Sequence, residues 1–441
     1  MKIMRNINFK ISFVLILIIG LGLSSCNLDE IPGPNNAGLD DIEKNATDGD
    51  IRTLISGTES LMRNDIGFYY DVSGIIGREY YFFTGSDPRY TGELLGKGES
   101  TLDKAGFYGT RPYAGRYRVI KNANILIAAV GNVTAFSDQE KNGIVGFAKT
   151  VQAYSYLLAL NLQYQNGIRM DVSDPGNLGA FLSYTEALAA ISSLLDDGNT
   201  MLSSAGDNFA FTLSTGFSDP VAFGKFNRAI AARVALYQDN KAGALSALNN
   251  SFMDLNGDFN DGPIHFFSLA GGDAINQVFR TPDQSEALVA HPSFITDLRP
   301  NDSRISKVAV RSGTAELDDL SGDYDVAIYS SQESAIKLIR NEELILIYAE
   351  ANIGTNNAEA ITALNIIRNA YGLGDYSGGM TDAELTDEVL YNRRYSLFGE
   401  GHRWIDMRRY NRLDQLPIDR TGDDVWEQMP RPVSEVGVQG G

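Results

Sequence analysis

The stretch Arg393-Arg394-Tyr395-Ser396-Leu397-Phe398-Gly399-Glu400-Gly401-His402-Arg403-Trp404-Ile405-Asp406-Met407-Arg408-Arg409 decides the fold of this chain. With Arg412 it places six arginines within 20 residues, against only two acids, Glu400 and Asp406. Such a cluster could bind an anion. Guanidinium groups also hold carboxylates in bidentate pairs inside a fold, and a buried carboxylate without a partner is costly. The cluster therefore has two interpretations, and the structural one is favoured.

The residues that precede this stretch supply the acids for such pairs. The apolar segment 339–351 carries Glu342, Glu343 and Glu350. We expect Arg393 and Arg403 to pair with these carboxylates, and Trp404 and His402 to belong to the core. The arginine-rich stretch is therefore predicted to stabilise the protein rather than to bind a ligand.

Helical periodicity extends over most of the chain, because apolar residues recur at three- and four-residue steps. The predicted helices are 50–62, 116–127, 139–163, 184–202, 221–237, 242–252, 331–353 and 358–371. Ser330 and Glu333 have the spacing of a capping box for the helix at 331. Antiparallel pairs with alanine at close-contact positions predict a mainly α fold of tetratricopeptide-like hairpins. Insertions at 64–115, 165–180, 203–220 and 254–330 separate the pairs and are expected to form a loop-rich ligand face.

Three segments resemble the C-terminal half of the SusD/RagB family in order and spacing over about 70 residues. They are Ile339-Arg340-Asn341-Glu342-Glu343-Leu344-Ile345-Leu346-Ile347-Tyr348-Ala349-Glu350-Ala351, then 363–373, and then 393–409. Segments 50–62, 117–124 and 148–154 resemble the N-terminal half more loosely. The resemblance implies a SusD-like domain over 48–441, with an N-terminal part of about 48–255 and a C-terminal part of about 256–441.

The resemblance also implies a function. SusD/RagB proteins are surface lipoproteins that capture a nutrient, usually a glycan, and sit as a lid over a SusC-like TonB-dependent β-barrel transporter. A member would be a binding protein of the outer membrane and not a catalyst.

The N-terminus resembles a bacterial lipoprotein signal. Lys2, Arg5 and Lys10 precede an apolar run of 13 residues, 11–23, which is too short to span a membrane, and small residues lead to Cys26. Residues 1–25 are therefore predicted to be a signal peptide and Cys26 to be lipidated, with 26–47 as a flexible tether. The alternative is a buried spare cysteine behind an ordinary secretory signal.

The composition excludes some functions. Removal of residues 1–25 would take the net charge from −19 to −22, because that segment holds three positive and no negative charges. Such an acidic protein is not expected to bind nucleic acid. Its three histidines are too scattered for a zinc site. The segment 254–262 resembles the start of a calcium loop, but an Asx-rich turn fits it better. No cofactor and no metal are expected.

The densest aromatic region is the insertion 64–115, where charged residues alternate with tyrosine and phenylalanine. Sugar rings stack on aromatic faces while their hydroxyl groups need polar partners at the rim. The candidate ligand-binding residues are Tyr70, Arg78, Tyr81, Asp87, Arg89, Tyr90 and Tyr108. Tyr80 and Tyr81 should point to opposite faces of a strand, so that one of them is buried. The insertion 273–330, with Phe279 and Arg280, is expected on the same face.

Three functional hypotheses remain from the sequence: glycan capture, peptide capture by a RagB-like protein, and a surface glycoside hydrolase. The sequence contains no G-x-S-x-G, H-E-x-x-H or Walker motif, and no catalytic residue is predicted. Glycan capture is the preferred hypothesis.

Overall fold

The computed structural model describes residues 39–174 and 176–436. Cys26, the signal peptide and most of the tether lie outside the described residues. The helices are α1 (Leu39–Asn45), α2 (Asp48–Leu61), α3 (Ile66–Ile76), α4 (Phe107–Val130), α5 (Asp138–Gln163), α6 (Tyr184–Ser203), α7 (Pro220–Tyr237), α8 (Lys241–Asn249), α9 (Pro292–Thr296), α10 (Asn341–Asn352), α11 (Asn357–Ala370), α12 (Asp382–Ser396), α13 (Arg403–Arg409) and α14 (Val433–Val436). The strands are β1 (Tyr80–Phe83), β2 (Ile168–Arg169), β3 (Phe181–Leu182), β4 (Ile264–His265), β5 (Ala287–Ala290), β6 (Val308–Leu317), β7 (Leu320–Val326) and β8 (Ile336–Lys337).

Successive helices pack against each other along the chain. The packed pairs are α4 with α5, α5 with α6, α6 with α7, α7 with α8, and α10 with α11. Local sequence fixes where several of these helices begin, because Ser137, Ser183 and Thr381 each form a capping box with a glutamate three residues later. The predicted mainly α fold is confirmed. In the part of the chain that the structure describes, no helix has the length and apolar character needed to cross a bilayer.

A small antiparallel sheet joins the two long insertions. Its strand order is β1-β5-β7-β6, and Tyr80 lies opposite Ala290 in the first pair. The pair β6–β7 is irregular between Val310 and Ala315. Because β1 comes from the insertion 64–115 and the other three strands from 254–330, the sheet places these two insertions side by side.

Two of the predicted boundaries are wrong. The insertion 64–115 contains α3, in which every residue except Phe68 is buried, so the helix shows no amphipathic pattern. The helix predicted at 331–353 begins only at Asn341, because residues 336–337 pair with β4 as strand β8. Ser330 and Glu333 therefore cap no helix.

The arginine-rich stretch forms the end of α12, a turn and the short helix α13. Gly399 and Gly401 have φ angles of 74° and 78°, a region that favours glycine, and they reverse the chain between the two helices. Arg393 Nε lies 2.7 Å from Asp406 Oδ2, and Arg409 Nη1 lies 2.8 Å from Glu350 Oε1. Arg409 also contacts Asp406, at 3.0 Å. Arginines of the stretch thus form ion pairs with Asp406 of the same stretch and with Glu350 of α10.

The expected pairing partners are partly wrong. Arg393 pairs with Asp406 of its own stretch, while Glu343 pairs with Arg233 of α7 at 2.6 Å. Within the described residues Arg403 forms no ion pair. Trp404 and His402 are buried as predicted, and burial lowers the pKa of His402 to about 4, so its imidazole is neutral at neutral pH.

We expect Arg393→Ala to destabilise the protein strongly, because it leaves Asp406 buried with fewer partners. Burial alone would raise the pKa of Asp406, but Arg393 and Arg409 lower it to about 2. The loss should be about 3–5 kcal/mol in urea unfolding. Arg394→Ala is the matched control, since its partner Asp297 is half exposed and such pairs contribute only about 0–1 kcal/mol. Equal losses in both variants would contradict the structural role of the stretch.

Glu79, directly before β1, connects the sheet to the turn at Gly399. Its Oε1 accepts a hydrogen bond from the Gly399 N–H at 3.1 Å, while Oε2 is buried without a hydrogen-bond partner among the described residues. Burial raises the pKa of Glu79 to about 8, although the Gly399 N–H opposes the shift. The carboxyl group is therefore largely protonated at neutral pH in the folded protein.

This raised pKa predicts a specific pH dependence of stability. Between about pH 4.5 and about pH 8 the folded state holds a proton that the unfolded state has lost, so the contribution of Glu79 to stability falls as the pH rises. We expect Glu79→Gln to remove this contribution, so that the variant gains stability relative to the wild type across that interval. Urea unfolding at several pH values measures it, with the exposed Glu99→Gln as control. Parallel pH profiles for wild type and Glu79→Gln would show that the carboxyl group is ionised when folded.

Candidate functional site

A cavity of about 360 Å³ opens where α3 and α4 meet the loop before β5. Phe68 and Asp71 come from α3, Arg111 from α4, and Phe279 and Arg280 from the loop. The other lining residues are Gly67, Tyr90, Ile275, Asn276, Gln277 and Gln332. The two insertions that were expected to share a ligand face therefore contribute most of the walls of one cavity.

Asp71 is the carboxylate of this cavity. Its side chain is 4% exposed, and Oδ1 has no hydrogen-bond partner among the described residues. Oδ2 lies 3.9 Å from Arg280 Nη2. Burial raises the pKa of Asp71 to about 6, while Arg280 opposes the shift. At neutral pH the site therefore holds a carboxylate that lacks part of its hydrogen bonding.

Aromatic rings and arginine planes form the wall around this carboxylate. The Arg280 guanidinium lies 4.8 Å above the ring of Phe82, and that of Arg111 lies 4.4 Å above Phe68. Phe82 contacts Tyr90 edge to face, with 4.6 Å between ring centroids. Stacking of this kind orients both guanidinium planes while leaving N–H groups for other partners. Arg111 also pairs with Asp65 at 2.7 Å.

Two local features bring the loop onto α3. A Cβ atom at Gly67 would lie 2.6 Å from Cβ of Gln277, so only glycine allows this approach. Asn276 binds the loop to the segment 327–335, because its backbone N–H donates to Gln332 O and its side chain donates to Ser334 O, both at 2.8 Å. The loop wall is thus fixed by backbone hydrogen bonds.

The structure contradicts the expected exposure of the candidate tyrosines. Tyr70, Tyr81, Tyr90 and Tyr108 are 4%, 2%, 7% and 0% exposed. Tyr81 stacks on Phe83, Tyr108 hydrogen-bonds Glu93 and the Asp103 backbone, and Tyr80 is buried as well because β1 is covered on both faces. Only Tyr90 lines the cavity. The other three belong to the core, so their replacement would be destabilising.

The charged candidates also lie away from the cavity. Arg78 is 3% exposed and donates to backbone carbonyls, including Asp424 O at 2.7 Å. Asp87 and Arg89 pair with each other at 2.6 Å, and the Arg89 guanidinium covers the ring of Phe107. A rim role for these three residues is not supported by their contacts in the described chain.

Phe68, Asp71 and Arg111 were not among the candidates, although all three lie in the expected insertion. The available signal was an acid in the apolar helix Ile66–Ile76, three residues after Phe68 and hence on the same helical face. Phe279 and Arg280 were expected on the ligand face, and the structure places both in the wall of the cavity.

Acidic and histidine side chains can be compared with the arrangements that metal sites and glycoside hydrolases use. No group of three or more histidine or acidic side chains between residues 39 and 436, Pro175 apart, could hold a metal ion. Asp254 and Asp258 form Asx turns, each accepting from the backbone N–H two residues later, as preferred for this segment. Among the described residues of the cavity, Asp71 is the only carboxylate, whereas glycoside hydrolases commonly use two.

Comparison with known proteins finds one family model that matches part of the chain. Residues 319–433 match the model of the SusD family, a segment that includes β7, α10 to α13 and the arginine-rich stretch. Together with the fold of the solved structures below, this match supports a SusD/RagB family protein. No curated protein matches the chain.

Solved structures with the same fold cover nearly the whole chain. A SusD superfamily protein from Bacteroides vulgatus ATCC 8482 is 16% identical, with a TM-score of 0.65 and coverage of 88% of this chain and 96% of that one. NanU of B. fragilis is 15% identical, with a TM-score of 0.64 and coverage of 88% and 94%. Surface glycan-binding protein A from Bacteroides thetaiotaomicron, solved with laminarihexaose, is 11% identical, with a TM-score of 0.65 and coverage of 88% and 97%. The fold is therefore SusD-like.

Proposed function

We propose that this protein captures oligosaccharides at the cell surface through the cavity between α3, α4 and the loop before β5. The observation that carries the proposal is the combination of aromatic rings with a partly unpaired carboxylate and two stacked arginines in one cavity. The solved complex of surface glycan-binding protein A with laminarihexaose supports it by analogy of fold.

The residues suit a sugar ring in complementary ways. Phe68 and Phe279 are the half-buried aromatic rings of the cavity and can cover the apolar C–H face of a sugar. Asp71 Oδ1 can accept a hydrogen bond from a hydroxyl group, and Arg111 and Arg280 can donate to hydroxyl oxygens. Such a site suits the hydroxyl pattern of a sugar ring.

The cellular setting is part of the proposal. Cys26 would carry the lipid, 26–47 would tether the domain to the outer membrane, and the domain would act as a lid over a SusC-like TonB-dependent transporter. The SusD family match and the lipoprotein-like N-terminus support this arrangement. The protein would then bind its ligand and pass it on without catalysis.

The cavity can be tested with Phe279→Ala, which removes a ring from its wall. We expect oligosaccharide binding to weaken by about 1–3 kcal/mol, the contribution of one aromatic contact area, with little change in melting temperature. Isothermal titration against neutral oligosaccharides and against peptides measures it. Phe181→Ala, another half-buried ring outside this cavity, is the matched control. Binding of peptides alone would support the RagB-like alternative and contradict glycan capture.

Asp71 should make the ligand affinity of this site depend on pH. Because its carboxylate acts as the hydrogen-bond acceptor, we expect binding to weaken as the pH falls through about 6, where Asp71 becomes protonated. Asp71→Asn should bind weakly at all pH values and lose this dependence. A wild-type affinity that is constant from pH 5 to pH 7.5 would show that the carboxylate does not contact the ligand.

Lipidation is tested separately with Cys26→Ala. In cells that lack the transporter partner, we expect the variant to appear in the soluble fraction while the wild type sediments with the outer membrane, because the acyl chains supply the anchor. Ser25→Ala, which keeps the thiol and a small residue before it, is the control. Membrane association of the Cys26→Ala variant in these cells would contradict the anchor.

A further inference from the structure

A second cavity, of about 410 Å³, lies on the other side of the segment 327–335 from the first. Gln332 of this segment lines the first cavity, whereas Ser330 and Ser334 line the second. Lys307, Lys337 and Arg340 supply positive charge to its wall, and Glu342 and Glu400 supply negative charge. The charged residues sum to one excess positive charge, in a chain whose net charge is −19.

Arg340 uses both of these carboxylates. Its Nε lies 3.0 Å from one oxygen of Glu400, its Nη2 lies 2.8 Å from the other, and its Nη1 contacts Glu342. The raised pKa of Arg340, which burial opposes and these two carboxylates cause, agrees with this pairing, while Glu342 Oε1 is buried without a hydrogen-bond partner among the described residues. The two acids of the wall are therefore bound to the one guanidinium group.

The two lysines are left without such partners. Lys307 Nζ donates to the backbone oxygen of Ser396, and Lys337 Nζ lies 3.5 Å from Gly262 O. Neither forms an ion pair in the part of the chain that the structure describes. Burial lowers the pKa of both, for Lys307 to about 8. Glu400 and Glu342 oppose the shift of Lys307, and Asp261 and Asp258 oppose that of Lys337, all from beyond ion-pair distance. A half-buried ammonium group without an ion pair is incompletely compensated, and an anion in the cavity would supply that pair.

We propose that this second cavity binds the anionic substituent, a carboxylate or a sulfate, of an acidic saccharide between Lys307 and Lys337. The hydroxyl groups of Tyr329 and Ser330, which also line the cavity, can donate to the same group or bind ring hydroxyls. The inference rests on the proposed glycan capture only in taking the ligand to be a saccharide. The anion site itself depends on the two lysines.

Isothermal titration with the full-length domain tests this site. The probes are digalacturonate, glucose 6-sulfate, the neutral disaccharide cellobiose and inorganic sulfate. We expect one or both acidic sugars to bind, and cellobiose to bind at least tenfold more weakly at this site. The Lys337→Met variant should bind the acidic sugar with roughly tenfold lower affinity, since charge-assisted hydrogen bonds are about twice as strong as neutral ones. The acidic sugar that binds tells which of the two substituents the cavity accepts.

Three variants make the result specific. Lys337→Met keeps the packing of the aliphatic stem, Lys337→Arg keeps the charge and should retain most of the affinity, and Lys225→Met removes an exposed lysine from a different groove. Binding of neither acidic sugar, binding of inorganic sulfate alone, or unchanged affinity in Lys337→Met would each overturn the proposal. Phe279→Ala should leave binding at this site unaltered, so failure of the first cavity and failure of the second are distinguishable.

Discussion

The rest of the structure depends on the burial of carboxylates beneath guanidinium groups at the junction of α7, α10, α12 and α13. Glu343, Glu350 and Asp406 are 1–3% exposed, and each contacts at least one arginine. Removing one arginine leaves a buried acid short of partners, which costs more free energy than the intact pair contributes. Each buried acid is therefore stable only when its arginine partner is in position. Because the partners lie on different helices, this short charged stretch constrains how the helices of the fold pack.

One hydrogen bond and strand β1 connect this junction to the candidate site. Gly399, in the turn between α12 and α13, donates to Glu79, and Glu79 leads directly into β1. On β1, Phe82 supports the guanidinium group of Arg280 and the ring of Tyr90. Arg280 and Tyr90 of the first cavity thus rest on a strand that is buried on both faces and hydrogen-bonded to the arginine-rich turn. A site built this way is preorganised, which lowers the entropy lost on binding.

The helical scaffold could be predicted from the sequence to a large extent, because most of its helices have clear apolar periodicity and conventional caps. The failures have a common physical origin. Helix α3 is buried almost all round, so its apolar residues show no period. Residues 336–337 continue the apparent helical pattern of 331–353 but are held as an extended strand by pairing with β4. Neither feature is visible without knowing the neighbouring elements.

The candidate site was harder to predict than the scaffold. Aromatic density indicated the insertion that lines the first cavity, but it did not indicate which rings are exposed, and Tyr70, Tyr81 and Tyr108 are core residues. Composition does not distinguish an aromatic ring that stacks on a ligand from one that fills the core. The sequence marks Asp71 only as an acid within an apolar helix, whereas the structure shows that one of its oxygens is buried without a partner beside a cavity.

Both cavities carry positively charged residues in a chain that is strongly acidic. A protein with a net charge of −19 repels an acidic ligand at long range, but at physiological ionic strength the potential of exposed charges decays over about 8 Å. Inside a partly buried cavity screening is weaker, so the cations that line it control the local potential. Arg111 and Arg280 at the first cavity, and Lys307 and Lys337 at the second, are therefore placed where a positive charge acts most strongly. An acidic surface that favours solubility is in this way compatible with binding of polar, and even anionic, sugars.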